Sequence, residues 1–478
     1  MSSSTTKVPP VSARAALQQL WLSAGLPMQA LARISLSGAE PVLRSSFAVG
    51  TAAQASIAAA ALAATELGWL RNGVAQNVSV DMRHAALECC SHFTIDGRVP
   101  PMWDKLSGLY PCGGEEGAAG WVRIHANFAH HRDGALRLLG LPEGSATERA
   151  DVIRALGRWT APDFESAAAD AGLVVAALRS FADWDAHPQG QAVAQRPLLS
   201  IEKIGAAAPL TLPPLERQSR PLHGLRVLDL TRILAGPVGG RALAAYGADV
   251  LLVNAPHLPN IDAIADTSRG KLSAHVDLRS AGGRADFERV LHEAHVFVQG
   301  YRPGGLAQLG YAPQQIAALR PGAVVVSLSA YGASGPWAAR RGFDSLVQTA
   351  TGFNDAEART FGSGPPRALP AQILDHATGY LIALGAQAAL RRQQTEGGSW
   401  HVQVSLASTA FWLRGLGRVE RGFEAPKPDF AAYEETKPSG FGQLVALRHS
   451  AQLSETPAVW TRPSVPPGTH LLAWPGRE

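Results

Sequence analysis

The chain has 478 residues, of which 46% are apolar and 17% charged, with a formal charge of +4; this is enough apolar material for one large core or two ordinary ones and excludes a disordered polyelectrolyte. Its basic residues are scattered, which argues against nucleic acid as a partner, and its most apolar stretch, Ala52 to Ala64, is too short to span a bilayer. Cys89, Cys90 and Cys112 supply neither a disulfide framework nor a CxxC metal pair, so a soluble cytoplasmic protein with no metal and no membrane partner is expected.

Residues 1–40 form an N-terminal segment without an apolar leader, and residues 41–90 contain a unit that recurs later. TAAQASIAAAALAATELGWLRNGVAQNVSVDMRHAAL, residues 51–87, aligns without a gap on DHATGYLIALGAQAALRRQQTEGGSWHVQVSLASTAF, residues 375–411, at a constant offset (375 − 51 = 324). Each copy reads as a small-residue helix, a glycine-containing turn and an alternating strand. Ala-rich helices can align by composition alone, but the strand at equal distance favours duplication. Asp375 heads the second copy where Thr51 heads the first.

Residues 91–205 carry short helical patterns, RDGALRLLGL and TERADVIRALGRW, and a strand near GWVRIHA, which together suggest a small α+β domain. Residues 206–220 are Pro-rich and aperiodic, as in a linker. Across 221–416, LRVLDL, DVLLV, HVFVQG and AVVVSLSAYG read as buried parallel strands separated by helix-length segments. The expected fold is therefore α/β, a Rossmann-like doubly wound parallel sheet with a second, smaller α+β domain. Residues 417–478, rich in Pro and Trp, read as a tail wrapping over the surface.

The glycine loop Ala235–Gly240 does not have GxGxxG spacing, and the following strand ends in Asn254 where a ribose-binding acid is expected, so a nicotinamide cofactor is disfavoured. Two segments at strand ends could hold a ligand or be ordinary turns: Ser268-Arg269-Gly270-Lys271 and Gly300-Tyr301-Arg302-Pro303-Gly304-Gly305. The first sets two cations beside a glycine; the second could stack a base and pair a phosphate. His125, His130 and His131 do not share a helical face and read as surface residues rather than a metal site. Neither GxSxG nor HExxH occurs.

From residue 221 onward, PLHGLRVLDLTRILAGP, AYGADVLLV, TSRGKLSAHVDLRS, FVQGYRPGGLAQLGY, VVVSLSAYGASGPWAARRGFDSLVQ and ILDHATGYLIALGAQAALRR follow in order and resemble the successive signatures of the family III CoA-transferases. That family includes formyl-CoA and carnitine CoA-transferases and α-methylacyl-CoA racemases. Residues 85–215 look like the small domain that normally follows the large one, so the domain order is permuted or partly duplicated. The resemblance implies coenzyme A as co-substrate, acyl-CoA and carboxylic acid as small-molecule partners, and a homodimer of interlocked subunits.

Carried over by position, Asp375 in LDHATG matches the family's catalytic aspartate. Ile233, Leu234, Lys271, Tyr301, Gly305 and Tyr331 match positions lining the CoA site. A racemase of the family has His before the Asp of GxD, where this chain has Phe343 before Asp344. One carboxylate suffices for a nucleophile, whereas racemisation needs two acid/base groups, so a transferase is favoured. The alternatives are a racemase and a CoA-binding protein without turnover. By itself, Asp375 could equally serve as a helix N-cap.

Overall fold

The computed structural model describes residues 10–114, 118–362 and 364–476; the first nine residues of the N-terminal segment, 115–117 of the CGGEEG run, 363 and 477–478 lie outside it. The apolar runs of the second half form a seven-stranded sheet in the order Lys271–His275, Asp249–Asn254, Arg226–Leu230, Val296–Gln299, Val324–Ser329, Ser399–Ser405 and Leu199–Gly205. The first six strands are parallel, and the last is an antiparallel edge. Residues 199–205 thus extend the large sheet instead of the small unit 91–205. The sheet is of the doubly wound α/β class, and strand order reverses between Arg226–Leu230 and Val296–Gln299, opening a crevice at their carboxyl ends.

The helix Ile373–Glu396 joins the last two parallel strands and is buried at every position from Ile373 to Leu390. A helix apolar on all sides must be covered on all sides. Here the covers are the sheet, the helix Ala235–Ala245 and the first-copy helix Val49–Asn72. Small residues permit this: a Cβ on Gly379 would lie 2.7 Å from the Ala235 carbonyl oxygen, and one on Gly239 2.9 Å from that of Gly379.

The sequence repeat is a repeat of structure. Both helices have 24 residues and start 324 residues apart (373 − 49 = 324), preceded by caps of the same conformation, Ala48 at φ −77°, ψ 60° and Gln372 at −80°, 60°. Asp81 and Ser405, again 324 apart (405 − 81 = 324), each accept from the N–H three residues on and start the next helix. Each copy's strand also gains an antiparallel partner from a distant segment, with Val80 opposite Ala451 and Val404 opposite Leu199. The first copy's sheet, Ile34–Ser37, Val78–Asp81 and Ala451–Leu453, has three strands where the second has seven.

Between the copies, Gly108–Pro111, Trp121–Ile124 and Val175–Ala177 form a small antiparallel sheet covered by Ala129–Leu139, Arg149–Leu156 and Ala161–Asp170. The tail is more than a surface wrap. Its hairpin Glu434–Ser439 and Gly442–Leu447 pairs with Phe93–Ile95, and Trp460 is buried with Arg269 stacked on it at 3.9 Å. No helix among the described residues is long and apolar enough to cross a membrane.

Candidate active site

Three chain segments meet at the crevice. Arg226–Leu230 runs out into Thr231–Leu234, where the Asp229 carboxylate holds Thr231 through its N–H at 3.1 Å and its hydroxyl at 2.5 Å. Ile233 follows at φ +76°, a left-handed conformation that is unfavourable by about 1–3 kcal/mol for a β-branched residue. Val296–Gln299 runs out into Gly300–Gly305, and the first turn of Ile373–Glu396 brings in Asp375. They enclose a cleft of about 490 Å³. That is within the usual range for small-molecule sites.

The cleft is lined by Arg232, Arg279, Arg302, Arg340 and Arg341, with His130 and His131, and among the described residues Asp375 is the one acidic group in its lining. Arg279 pairs with Asp277 and Arg340 with Glu165. Arg232, Arg302 and Arg341 have no carboxylate partner among the described residues; Arg232 bonds the Pro259 carbonyl, and Arg341 stands 3.5 Å from His131. Burial, with His130, Arg341 and Arg232 nearby, holds His131 neutral, pushed down to about 3. The cleft therefore concentrates positive charge beside a polyanion-sized space.

Asp375 is 8% exposed, and its carboxylate accepts no hydrogen bond among the described residues. It is not the helix cap. Gln372 is the N-cap, and the helix end is held from outside by Asp344, whose Oδ2 accepts from the Asp375 N–H at 2.9 Å while Oδ1 accepts from Gln348 Nε2 at 2.6 Å. Burial, reinforced by the Asp344 charge, drives the Asp375 carboxyl well above the ordinary carboxylate range. Asp344 itself is pushed up to about 6 by burial, against the opposing bonds from the Asp375 and Leu374 N–H groups and Gln348. An unsolvated carboxylate without donors is costly to keep ionised and correspondingly reactive.

Asp375 also borders a second cavity of about 180 Å³, shared with Ile233, Leu234 and Phe343 and otherwise walled largely from the N-terminal half by Ser91, Trp103, His125 and Asn127. His125 is buried and stacks on Phe343, with ring centroids 3.9 Å apart. His125 and His131 are thus interior, not surface, residues.

Of the residues singled out in the sequence, Ile233, Leu234, Gly300, Tyr301, Arg302 and Gly305 line the cleft with Asp375. Arg269 and Lys271 do not reach it. Lys271 is fully buried, its Nζ 2.9 Å from Asp229 Oδ2 and 2.8 Å from the Pro237 carbonyl; Arg269 bonds Asp266 and, at 2.8 Å, the Leu447 carbonyl. Tyr331 is buried and lines an adjoining cavity of about 190 Å³. Sequence reading missed Arg232, Arg279 and Arg341, although Arg232 directly precedes Ile233, and it noted Asp344 only as part of GxD. Glycines 239 and 240 are the interior of a helix, not a phosphate loop: a Cβ on Gly240 would lie 2.2 Å from Asp229 Oδ2.

Residues 222–440 match the family model CoA-transferase family III. The chain is 28% identical over 372 residues to an acyl-CoA transferase of Gibberella moniliformis, covering 69% of this chain and 64% of that one. It is 32% identical to a probable fatty acyl-CoA transferase of Mycobacterium tuberculosis, over 45% of this chain and 59% of the relative. It is 29% identical to a formyl-CoA:oxalate CoA-transferase of Rhodopseudomonas palustris, over 48% and 56%. The chain thus spans a little under two thirds of the length of these relatives. Over residues 222–440 it is thus similar to the family III CoA-transferases.

Proposed function

We propose that the protein transfers coenzyme A between an acyl-CoA thioester and a carboxylic acid, with Asp375 as the covalent nucleophile. A single observation carries the reading: the donor-free, buried carboxylate of Asp375 opens onto a cleft whose other charged lining residues are all cationic. The arginines and His130 suit the phosphates of CoA, with Tyr301 available to stack on its base.

In the first step an Asp375 oxygen attacks the thioester carbonyl, the carbon–sulfur bond breaks, and CoA leaves as its thiolate. The thiolate then attacks the Asp375 acyl carbon of the mixed anhydride, releasing the first acid as a carboxylate and leaving an aspartyl-CoA thioester. An incoming carboxylate attacks that thioester, and the freed thiolate takes the new acyl group. Asp375 ends as it began. Two cavities meeting at one carboxylate fit this sequence, since the CoA arm and the acid must reach the same atom from different sides.

One observation favours a second reading, racemisation of a 2-methylacyl-CoA: His125, stacked on Phe343, puts an imidazole on the cavity that Asp375 borders. Burial, with His131 and Arg123 adding to it, pushes His125 down to about 3, so it can take a proton but is a poor donor for the reverse direction, whereas transfer needs Asp375 alone as nucleophile. The transferase reading is therefore preferred. Quenching an acyl-CoA reaction with hydroxylamine tests it: an aspartyl hydroxamate at Asp375, absent in Asp375→Ala, is expected. Exchange of the α-proton with solvent deuterium in the absence of an acceptor acid would favour the racemase.

A further inference from the structure

We infer that Gln189, which belongs to the N-terminal half and does not line the cleft, is a positioning residue for coenzyme A: it pins the segment that carries Arg341 to the cleft. The inference rests on the transferase reading and gives the first half of the chain a part in it.

Residues 330–343 join the strand Val324–Ser329 to the helix Asp344–Ala350 without a helix or strand of their own. From the two ends of this segment, Ala330, Arg340, Arg341, Gly342 and Phe343 line the cleft, while residues 333–336 in its middle are exposed. Its internal bonds, from the Ala338 N–H to the Gly335 carbonyl at 3.2 Å and from the Arg340 N–H to the Trp337 carbonyl at 2.9 Å, are turns that fix nothing relative to the sheet. So irregular a stretch keeps one position only under restraint from outside itself.

Gln189 supplies that restraint. It is fully buried in the helix Pro188–Ala194. Its Nε2 donates to the Tyr331 carbonyl at 2.7 Å and the Ser334 carbonyl at 2.8 Å, and its Oε1 accepts from the Trp337 N–H at 2.7 Å. Both amide hydrogens and the oxygen are thus spent on one segment. The segment is moulded to it at Gly335, which takes φ +85° and where a Cβ would lie 2.5 Å from Gln189 Oε1. A second anchor is the Trp337 ring, with the Arg340 guanidinium 4.1 Å and that of Arg179 5.1 Å from its centroid, both arginines being paired with Glu165.

Arg341 needs the restraint. Arg340 is occupied by Glu165 and Trp337, whereas Arg341 has no carboxylate partner among the described residues, stands 3.5 Å from His131, and is pushed down by burial and by the Arg302 charge. Cations gathered against their own repulsion separate unless the backbone holds them, and a set already in place binds a polyanion at less cost. Releasing the segment should therefore weaken CoA binding through the same contact that Arg341→Ala removes.

Isothermal titration of the full-length protein with CoA tests this in the wild type, Arg341→Ala, Gln189→Met and the double variant, alongside hydroxylamine trapping at Asp375 with acetyl-, succinyl- and palmitoyl-CoA. Methionine fills the space of Gln189 without its three bonds. Each single variant should raise the Kd about 10-fold, the loss of one charge-assisted contact. The double variant should bind no more than about 2-fold more weakly than Arg341→Ala, because both changes remove one contact. A merely structural role for Gln189 would give independent losses that multiply to about 100-fold. That result, or a Gln189→Met protein that binds CoA as the wild type does, overturns the inference while a hydroxamate at Asp375 leaves the transferase reading intact. Should Gln189→Met fail to fold, Trp337→Leu at the half-buried outer anchor carries the same cycle, with the same results expected and the same results overturning it. No hydroxamate with any of the three donors defeats the transferase reading and this inference with it.

Discussion

Replacing Asp375 by asparagine should stabilise the fold at alkaline pH and leave it unchanged in acid. Both Asp375 and Asp344 have folded-state pKa values above their ordinary ones, so the folded protein keeps protons that the unfolded chain releases. The stability contributed by the pair is therefore fully present below the ordinary carboxyl pKa of 3.8 and is lost as pH rises through the raised values. For Asp344 alone the rise from 3.8 to about 6 is roughly two units, or about 3 kcal/mol above pH 6 at 1.36 kcal/mol per unit. Asp375, raised by its own burial and by the Asp344 charge, adds to this, and Asp375→Asn would remove that contribution; because the Asp375 carboxylate accepts no hydrogen bond among the described residues, the amide forfeits none. A gain of about 1–3 kcal/mol, a few degrees in Tm, is expected at pH 8. Thermal unfolding of both proteins at pH 4 and pH 8 measures it. An equal Tm difference at the two pH values, or a variant that melts lower at pH 8, would refute the reasoning.

Asp344→Asn keeps an oxygen for the Asp375 N–H but removes the charge, so the acid limb of the kcat/KM profile should move to lower pH; an unmoved limb would mean that Asp344 does not act on Asp375. Arg232→Ala and Arg302→Ala should each raise KM for acyl-CoA about 10-fold, the loss of one charge-assisted contact, with little change in kcat and a weaker salt dependence. Lys271→Met leaves Asp229 buried without its partner and should cost about 3–5 kcal/mol in urea unfolding. At temperatures where that variant stays folded, its KM for acyl-CoA should match the wild type. Gly379→Val should destabilise by about 2 kcal/mol or more, because its side chain would push into the Ala235 carbonyl.

What the sequence made legible were patterns carried by neighbours in the chain. Apolar runs such as VLLV and VFVQ announce strands covered on both faces, and the two Ala-rich helices kept their spacing to the following strand closely enough to reveal the repeat. Hidden were features decided by partners far away in sequence. Lys271 turns inward because Asp229 lies beneath it, and Arg269 because the Leu447 carbonyl arrives from the tail. His125 follows the strand Trp121–Ile124 and is buried by Phe343, more than 200 residues on. No local period encodes such meetings. Thr51 shows the converse, since its N–H is held by the Glu40 carboxylate at 2.8 Å much as that of Asp375 is held by Asp344. The first copy has the same helix-end support, with a hydroxyl at the position where the second carries its carboxylate.

The central claim is that Asp375 bonds covalently to the acid it exchanges. When an acid labelled with oxygen-18 attacks the aspartyl-CoA thioester, its attacking oxygen becomes the bridge of the anhydride and stays on Asp375 once the thiolate removes the acyl group. Mass spectrometry of the peptide bearing Asp375 after turnover with labelled acid should show oxygen-18 in that carboxyl. Turnover without label in the peptide would contradict the account.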